Sequence, residues 1–334
     1  MLNDLLPQES ASPPAPQRAR SLTKTWLRRS SITAGIAAMA LTAAGAVSLG
    51  LVNSNIERAD LMSISAAAAP QSAKDALNIV ILGSVGEKTD TSETSRGDVV
   101  MVLHISADRE SAQLISFPRA TYVTVPGKGM NTLNKAYELG GTKLVVRTLE
   151  TLTKTRMDHV MLADYQGFTA LAQQVGAVTI TNEEAFSNLG FSFAKGEITL
   201  DGPAALAYVK ARTDGGDAAG DMQERQRIVL EAGLQKGLSR ELLSRPAKLT
   251  AFVNTASQNV VVDKKFTATA ITKIALSLKL TEDDVALVRA PLTSDQITFK
   301  GQKVQKVDST QFQELASAMA GDTLSAYVEK YPSN

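Results

Sequence analysis

A chain of 334 residues holds one large domain or two small ones, and its 44% hydrophobic content is that of a globular protein. A net charge of +1 supplies no basic field for nucleic acid, which argues against a nucleic-acid partner. The absence of cysteine excludes disulfides, thiolate catalysis and cysteine-ligated metal, and two histidines, His104 and His159, argue against a histidine triad or multi-histidine metal site.

Residues 1–31 are rich in Pro, Ser, Ala and Arg, and Pro13, Pro14 and Pro16 break any helix, so this segment reads as a disordered tail. It carries Arg18, Arg20, Lys24, Arg28 and Arg29 against Asp4 and Glu9. No charged residue occurs from Ser30 to Ile56. A helix needs about 20 residues to cross the hydrocarbon core, so residues 32–52 are long enough to span it. The Lys/Arg excess before this run predicts a single-pass protein of the cell membrane, with a cytoplasmic N-terminus and an extracytoplasmic C-terminal domain. The run exceeds the roughly 7–15 apolar residues of a signal peptide. That favours a retained anchor over the alternative, a leader cleaved near Ala66–Ala69. Residues 53–76 then read as a linker, and residues 77–327 as the extracytoplasmic domain.

Leu77–Leu82 and Val99–Ile105 are apolar and rich in β-branched residues, which predicts strands covered on both faces. Gln113–Phe117 and Tyr122–Val125 predict two more, separated by Pro118. Thr142–Thr153 follows Gly140 and Gly141 and sets Leu144, Val145, Leu149 and Leu152 on one helical face. Tyr165–Val175 has apolar residues at helical spacing and is stopped by Gly176, with a strand expected at Ala177–Thr181. Asp201, Gly202 and Pro203 cap and start a short helix through Val209. Leu230, Leu234, Leu238 and Leu242 recur at spacing four on a long helix that Pro246 closes. The alternation predicts an α/β fold, a mixed α+β sandwich with helices on both faces of a central mixed sheet.

A series of cationic patches runs through these elements: Arg96 with Asp98, Arg119 after Pro118, Lys210 with Arg212, and Arg225 with Gln226. Three of the four adjoin apolar runs, where an unpaired charge is costly. A planar guanidinium donates two parallel hydrogen bonds, which suits a phosphate or diphosphate. Arg96 could grip a phosphate oxygen, and Asp98 could hold Mg²⁺ or accept a proton, although a solvated Arg–Asp pair accounts for the same residues. Arg119 reads equally as a strand-end arginine reaching to water. Lys210 and Arg212 point the same way if their stretch is extended. Arg225 and Gln226 stand in the polar start of the long helix, where anions are favoured but a solvated first turn is common. His104 and His159 sit in apolar strand contexts and read as structural. Beside an anchor, the cations point to a lipid-linked phosphate substrate.

The ordered series Asn78–Ser84, Arg96–Ile105, Leu114–Gly127, Thr132–Gly141, Asp164–Ile180, Leu200–Arg212 and Glu224–Arg227 resembles the LytR–CpsA–Psr family of cell-envelope enzymes. The resemblance implies a single-pass membrane protein whose α/β domain encloses an apolar tunnel for a polyprenyl pyrophosphate. It implies transfer of a glycopolymer, with one phosphate, from that carrier to a hydroxyl of peptidoglycan or of a glycosylated protein, assisted by Mg²⁺. Mapped by motif, Arg96, Arg119, Lys210, Arg212, Arg225 and Gln226 would surround the pyrophosphate, and Asp98 would be the metal ligand. Arg119 and Asp98 would carry the catalysis. This chain departs from the family at two acidic positions, with Val85 after Gly83-Ser84 and Ala120 after Pro118-Arg119; Lys210 also replaces the first arginine of the Arg-x-Arg pair. The departures keep a second reading open, a catalytically weak paralogue that binds such lipids as carrier, scaffold or regulator. A transcriptional attenuator would need a cytoplasmic DNA-binding module, for which the N-terminal tail has no room.

Overall fold

The computed structural model describes residues 56–62, 73, 75–85, 96–164, 176–211, 257–281 and 284–332, with scattered positions between 224 and 255. The expected anchor at 32–52, the expected helix Tyr165–Val175, and Leu230, Leu234, Leu238 and Leu242 lie outside the described residues. Every described position between 224 and 237 is helical. No described helix is long and apolar enough to cross a membrane.

The strands β1 (Glu57–Ala59), β2 (Leu77–Val85), β3 (Arg96–Ile105), β4 (Ala112–Phe117), β5 (Thr121–Val125) and β6 (Gly129–Thr132) precede the helix α1 (Leu133–Thr153). Then come β7 (His159–Asp164), β8 (Val178–Asn182), β9 (Phe186–Asn188), β10 (Phe191–Phe193), β11 (Gly196–Leu200) and α2 (Gly202–Lys210). The chain continues with β12 (Val260–Asp263), α3 (Ala268–Ser277), β13 (Val285–Arg289), β14 (Leu292–Phe299), β15 (Gln302–Val307), α4 (Ser309–Gly321) and α5 (Leu324–Lys330).

Seven strands form a mixed sheet in the order β1-β12-β7-β2-β3-β4-β13. Alternation along the strands sends side chains to two cores. Val80, Leu82, Val102, Ile115 and Val160 pack with Val145 and Leu149 of α1 and Leu315 and Met319 of α4. Ile79, Ile81, Met101, Leu103 and Leu114 face the opposite way, against Ala268, Ile271 and Ile274 of α3. Both faces are therefore covered by helices, as the unbroken apolar runs of β2 and β3 require. A four-stranded sheet, β14-β15-β5-β6, and the hairpins β8–β11 and β9–β10 complete the described strands.

Two stretches differ from the sequence-based expectation. Glu57–Ala59, expected within a linker, is an edge strand parallel to β12, and the neighbouring Leu61 is buried. Helix α1 begins at Leu133, nine residues before the expected Thr142. Thr132 caps it by accepting from the Lys135 N–H. The helix is interrupted at Gly140 and Gly141, where Gly141 takes φ 61, ψ −159. That is a conformation which only glycine adopts at low cost. The break hides the first half from a periodicity search.

Candidate phosphate site at one end of the central sheet

The strand registers define which residues meet. Strand β2 runs toward Val85, and Val85 pairs with Arg96 at the start of antiparallel β3. Phe117, the last residue of β4, pairs with Val100, so Arg119 follows at the same end of the sheet. Parallel β7 ends there too, with Asp164 level with Ser84. Parallel β13 ends with Arg289 level with Ser116. Four strand ends and one strand start therefore converge on a single edge. It carries Arg96, Asp98, Arg119 and Arg289.

A bulge shapes that edge. Gly83 pairs with Val99 and Ser84 with Gly97, which leaves Asp98 as the extra residue on β3. Bulges re-aim a side chain and cluster beside functional sites. A Cβ on Gly83 would meet Val99 Cβ at 3.0 Å, so glycine relieves a tight crossing at the bulge.

Arg119 is half-buried in the turn after β4. The Thr121 N–H donates to the Pro118 carbonyl, and the Arg119 carbonyl accepts from the Asn134 N–H at 3.1 Å. The second contact sets Arg119 against the N-terminus of α1, whose partial positive charge adds to the cationic character there. The Ala120 carbonyl accepts from the Gln305 N–H of β15.

Arg225 is only 8% exposed. Its Nη2 donates to the Ala211 carbonyl at 2.6 Å, and its guanidinium lies over the Phe186 ring, 5.2 Å from the centroid. Its Nε is buried with no hydrogen-bond partner among the described residues. A buried donor left unmatched costs about 1–3 kcal/mol, and more on a charged group. Ala211 lies between Lys210 and Arg212, so this bond ties two of the expected patches together. Lys210 is the last residue of α2, and Ala211 is the first extended one. The Lys210–Arg212 pair thus straddles a helix end instead of lying on one extended segment. Arg212 and Gln226 fall outside the described residues.

Sequence reasoning missed Arg289. Its Nη2 donates to Glu224 Oε1 at 2.7 Å, next to Arg225. This ion pair couples the helical residues 224–225 to the end of β13. The available signal is an arginine near a proline at the end of an apolar strand, as in Val285–Pro291, with the order of the two reversed relative to Pro118-Arg119.

Both histidines lie elsewhere in the sheet and serve packing. The Nδ1–H of His104 donates to Asn78 Oδ1 at 2.8 Å, and its Nε2 meets Asp322 Oδ1 at 2.9 Å. Burial holds this imidazole below the ordinary histidine value, against the opposing pull of Asp322. His159 donates from Nδ1 to Asp263 Oδ2 at 3.0 Å and stacks on Phe266.

Among the described residues, no three acidic or histidine side chains gather. Mg²⁺ bound to phosphates needs only one or two carboxylates. Asp98 and Asp164 stand at the same sheet end, on the two strands flanking Ser84. Described cavities of about 680 Å³ and 470 Å³ lie elsewhere, lined by Leu152, Phe312 and Ala316 in one case and by Tyr137, Gly140 and Thr142 in the other.

The family model described as the LytR_cpsA_psr family matches residues 50–321. This chain belongs to the LytR_cpsA_psr family. The polyisoprenyl-teichoic acid–peptidoglycan teichoic acid transferase TagU of Oceanobacillus iheyensis is 32% identical over 57% of this chain and 61% of its own length. The TagU of Halalkalibacterium halodurans is 32% identical over 64% of this chain and 69% of its own. The crystal structure of B. subtilis TagV superposes with a TM-score of 0.59 at 22% identity, covering 77% of this chain and 98% of that one. It shares the mixed α/β fold. The chain spans less than two thirds of the length of the first of these curated relatives.

Proposed function

We propose that this LytR_cpsA_psr member transfers a phospho-glycopolymer from a polyprenyl-pyrophosphate carrier to a hydroxyl of peptidoglycan or of a protein. The acceptor oxygen bonds to the phosphorus that bears the glycan. The phosphoanhydride bond breaks, polyprenyl monophosphate leaves, and the hydroxyl proton goes to a base. In phosphoryl transfer of this kind, catalysis is mainly alignment and charge stabilisation, which a cationic cluster supplies.

The observation that carries the reading is Arg225. A buried guanidinium, stacked on an aromatic ring and with Nε unmatched among the described residues, is held ready for an anion. Arg96, Arg119, Lys210, Arg212 and Gln226 are assigned to the same pyrophosphate, and for Arg96 and Arg119 the convergence of strand ends supports the assignment. Mg²⁺, with Asp98 as its ligand, would neutralise charge developing on the phosphates. The activity named for TagU supports this assignment of substrate and acceptor classes.

A membrane location follows from the same reading. Strand β1 is parallel to β12, which is antiparallel to β7, so the chain enters the sheet from the end that carries the cations. Glu57 stands only five positions after Val52, the end of the apolar run. Five extended steps reach at most about 17 Å. With residues 32–52 as a membrane anchor and an apolar tunnel receiving the isoprenoid, the site stands close to the bilayer that delivers its substrate.

One observation favours a binding-only alternative. Val85, which replaces a family acid, pairs directly with Arg96, so the departure falls inside the cluster. The test is release of polyprenyl monophosphate from a glycan-diphosphate carrier by the full chain with Mg²⁺. Release that disappears in Arg119→Ala supports transfer. Tight lipid binding by the parent chain without release supports the alternative.

A further inference from the structure

The turn joining β9 to β10 makes a choice that the fold does not need. Asn188 pairs with Phe191, which leaves Leu189 and Gly190 as a two-residue turn. Both have positive φ, 49° and 82°. Turns of this kind favour Asn-Gly or Asp-Gly, because a residue with a Cβ pays roughly 1–2 kcal/mol in the left-handed region. Leucine there is strained, and it is also 65% exposed, with Phe191 beside it at 37%. Neither residue belongs to the hydrophobic cluster beneath the hairpin.

A series of ring contacts links the tip to Arg225. Phe191 stacks on Phe193 at 6.4 Å, Phe193 lies 4.9 Å from Phe186, and Phe186 carries the Arg225 guanidinium at 5.2 Å. Asn188 Nδ2 donates to the Ala207 carbonyl at 2.8 Å and fixes the hairpin against α2. Glu224, next to Arg225, is bonded to Arg289 at the end of the central sheet where β1 enters. An apolar tip therefore continues an aromatic ladder that starts at the proposed diphosphate. The hairpin's flanking charges are Glu183, Glu184, Lys195 and Glu197, so its attraction is not to an anionic surface.

We propose that Leu189 and Phe191 form a wedge that seats in the lipid bilayer beside the cationic site and guides a membrane-borne isoprenoid to it. The inference rests on the carrier-lipid reading for its purpose, but its physical test does not depend on turnover. Trp26 is the only tryptophan. With Trp26→Phe as background, the full chain carrying Phe191→Trp is reconstituted in phosphatidylcholine vesicles with and without brominated acyl chains. The control is Leu276→Trp, at a position 75% exposed near Lys279, whose N–H donates to Arg109 in the β3–β4 turn at the opposite end of the sheet.

Blue-shifted emission that bromine quenches at position 191 and not at 276 is expected. Unquenched emission at 191, or equal quenching at both positions, overturns the wedge and leaves the tip to a protein partner or to general adsorption. A second variant, Leu189→Asn, suits the turn and should keep or raise the thermal midpoint. It should lower turnover of a long-chain glycan-diphosphate carrier in vesicles several-fold while sparing one built on a short, water-soluble isoprenyl chain. Equal loss with both carriers overturns the wedge, because the hairpin then acts within the site. Failure of the parent chain to cleave either carrier sinks the transferase reading alone, and the quenching still decides the wedge.

Discussion

Arg225 combines burial, an aromatic platform and an Nε unmatched among the described residues, so its removal should cost more than that of an exposed arginine. Arg225→Ala is expected to lower transfer by about 10²–10³-fold, the range for removing one preorganised donor from a developing oxyanion. Arg225→Lys should recover little, because an ammonium cannot reproduce both the stacking and the forked donation. Steady-state rates of carrier monophosphate release check both. Arg289 acts differently, through Glu224. Arg289→Ala should weaken carrier binding with a smaller effect on maximal rate, and the charge swap Arg289→Glu with Glu224→Arg should restore part of it. A titration of carrier binding by the parent, Arg289→Glu, Glu224→Arg and the double swap measures that coupling.

The bulge at Asp98 and the polar staples of the sheet set the predictions for elements. Gly83→Val places a branched side chain where even a Cβ lies 3.0 Å from Val99 Cβ. Overpacking of this kind typically costs about 1–3 kcal/mol. The variant is expected to melt earlier and to lose Mg²⁺ dependence as Asp98 is displaced, which thermal unfolding and Mg²⁺ titration report separately. Asp263 supplies a pH dependence. Burial alone raises its carboxyl, but the bonds from His159 and the Val160 N–H overcome this and leave it below the ordinary value. Its stabilisation is therefore present above the usual aspartate range and is lost as pH falls through the lowered folded value. Asp263→Asn should flatten acid unfolding below about pH 4 and cost about 1–3 kcal/mol at neutral pH, from denaturant midpoints at several pH values. Strands β2, β3 and β4 were legible in the sequence because burial on both faces demands continuous apolar runs. Strand β1 was not, since Glu57-Arg58-Ala59 has three residues, two of them charged, and owes its pairing to β12. The first half of α1 was hidden by its glycine break, although the Asp201 cap of α2 was readable from the Asp-Gly-Pro order.

Across the molecule, the candidate site is a product of topology. The cationic residues were readable one by one, as arginines beside apolar runs. Their meeting was not, because it depends on which strands run parallel and where each one stops. Arg289 shows the limit. Its strand lies far along the chain from Arg119, and only the β13–β4 register sets the two strand ends side by side. The bond from Arg225 to Ala211 is likewise a tertiary contact, and no local pattern encodes it. The family match over residues 50–321 agrees with this architecture, at identities near one third to the curated relatives.

The central claim is that this sheet end breaks a phosphoanhydride in a lipid-linked glycan. It is tested most directly by following the full chain, reconstituted in vesicles with Mg²⁺, a glycan-diphosphate-polyprenyl carrier and a peptidoglycan acceptor. Equimolar appearance of polyprenyl monophosphate and phosphodiester-linked acceptor, abolished in Arg225→Ala, is the expected result. Carrier that stays intact while bound to the parent chain, or equal release by parent and Arg225→Ala, would contradict it.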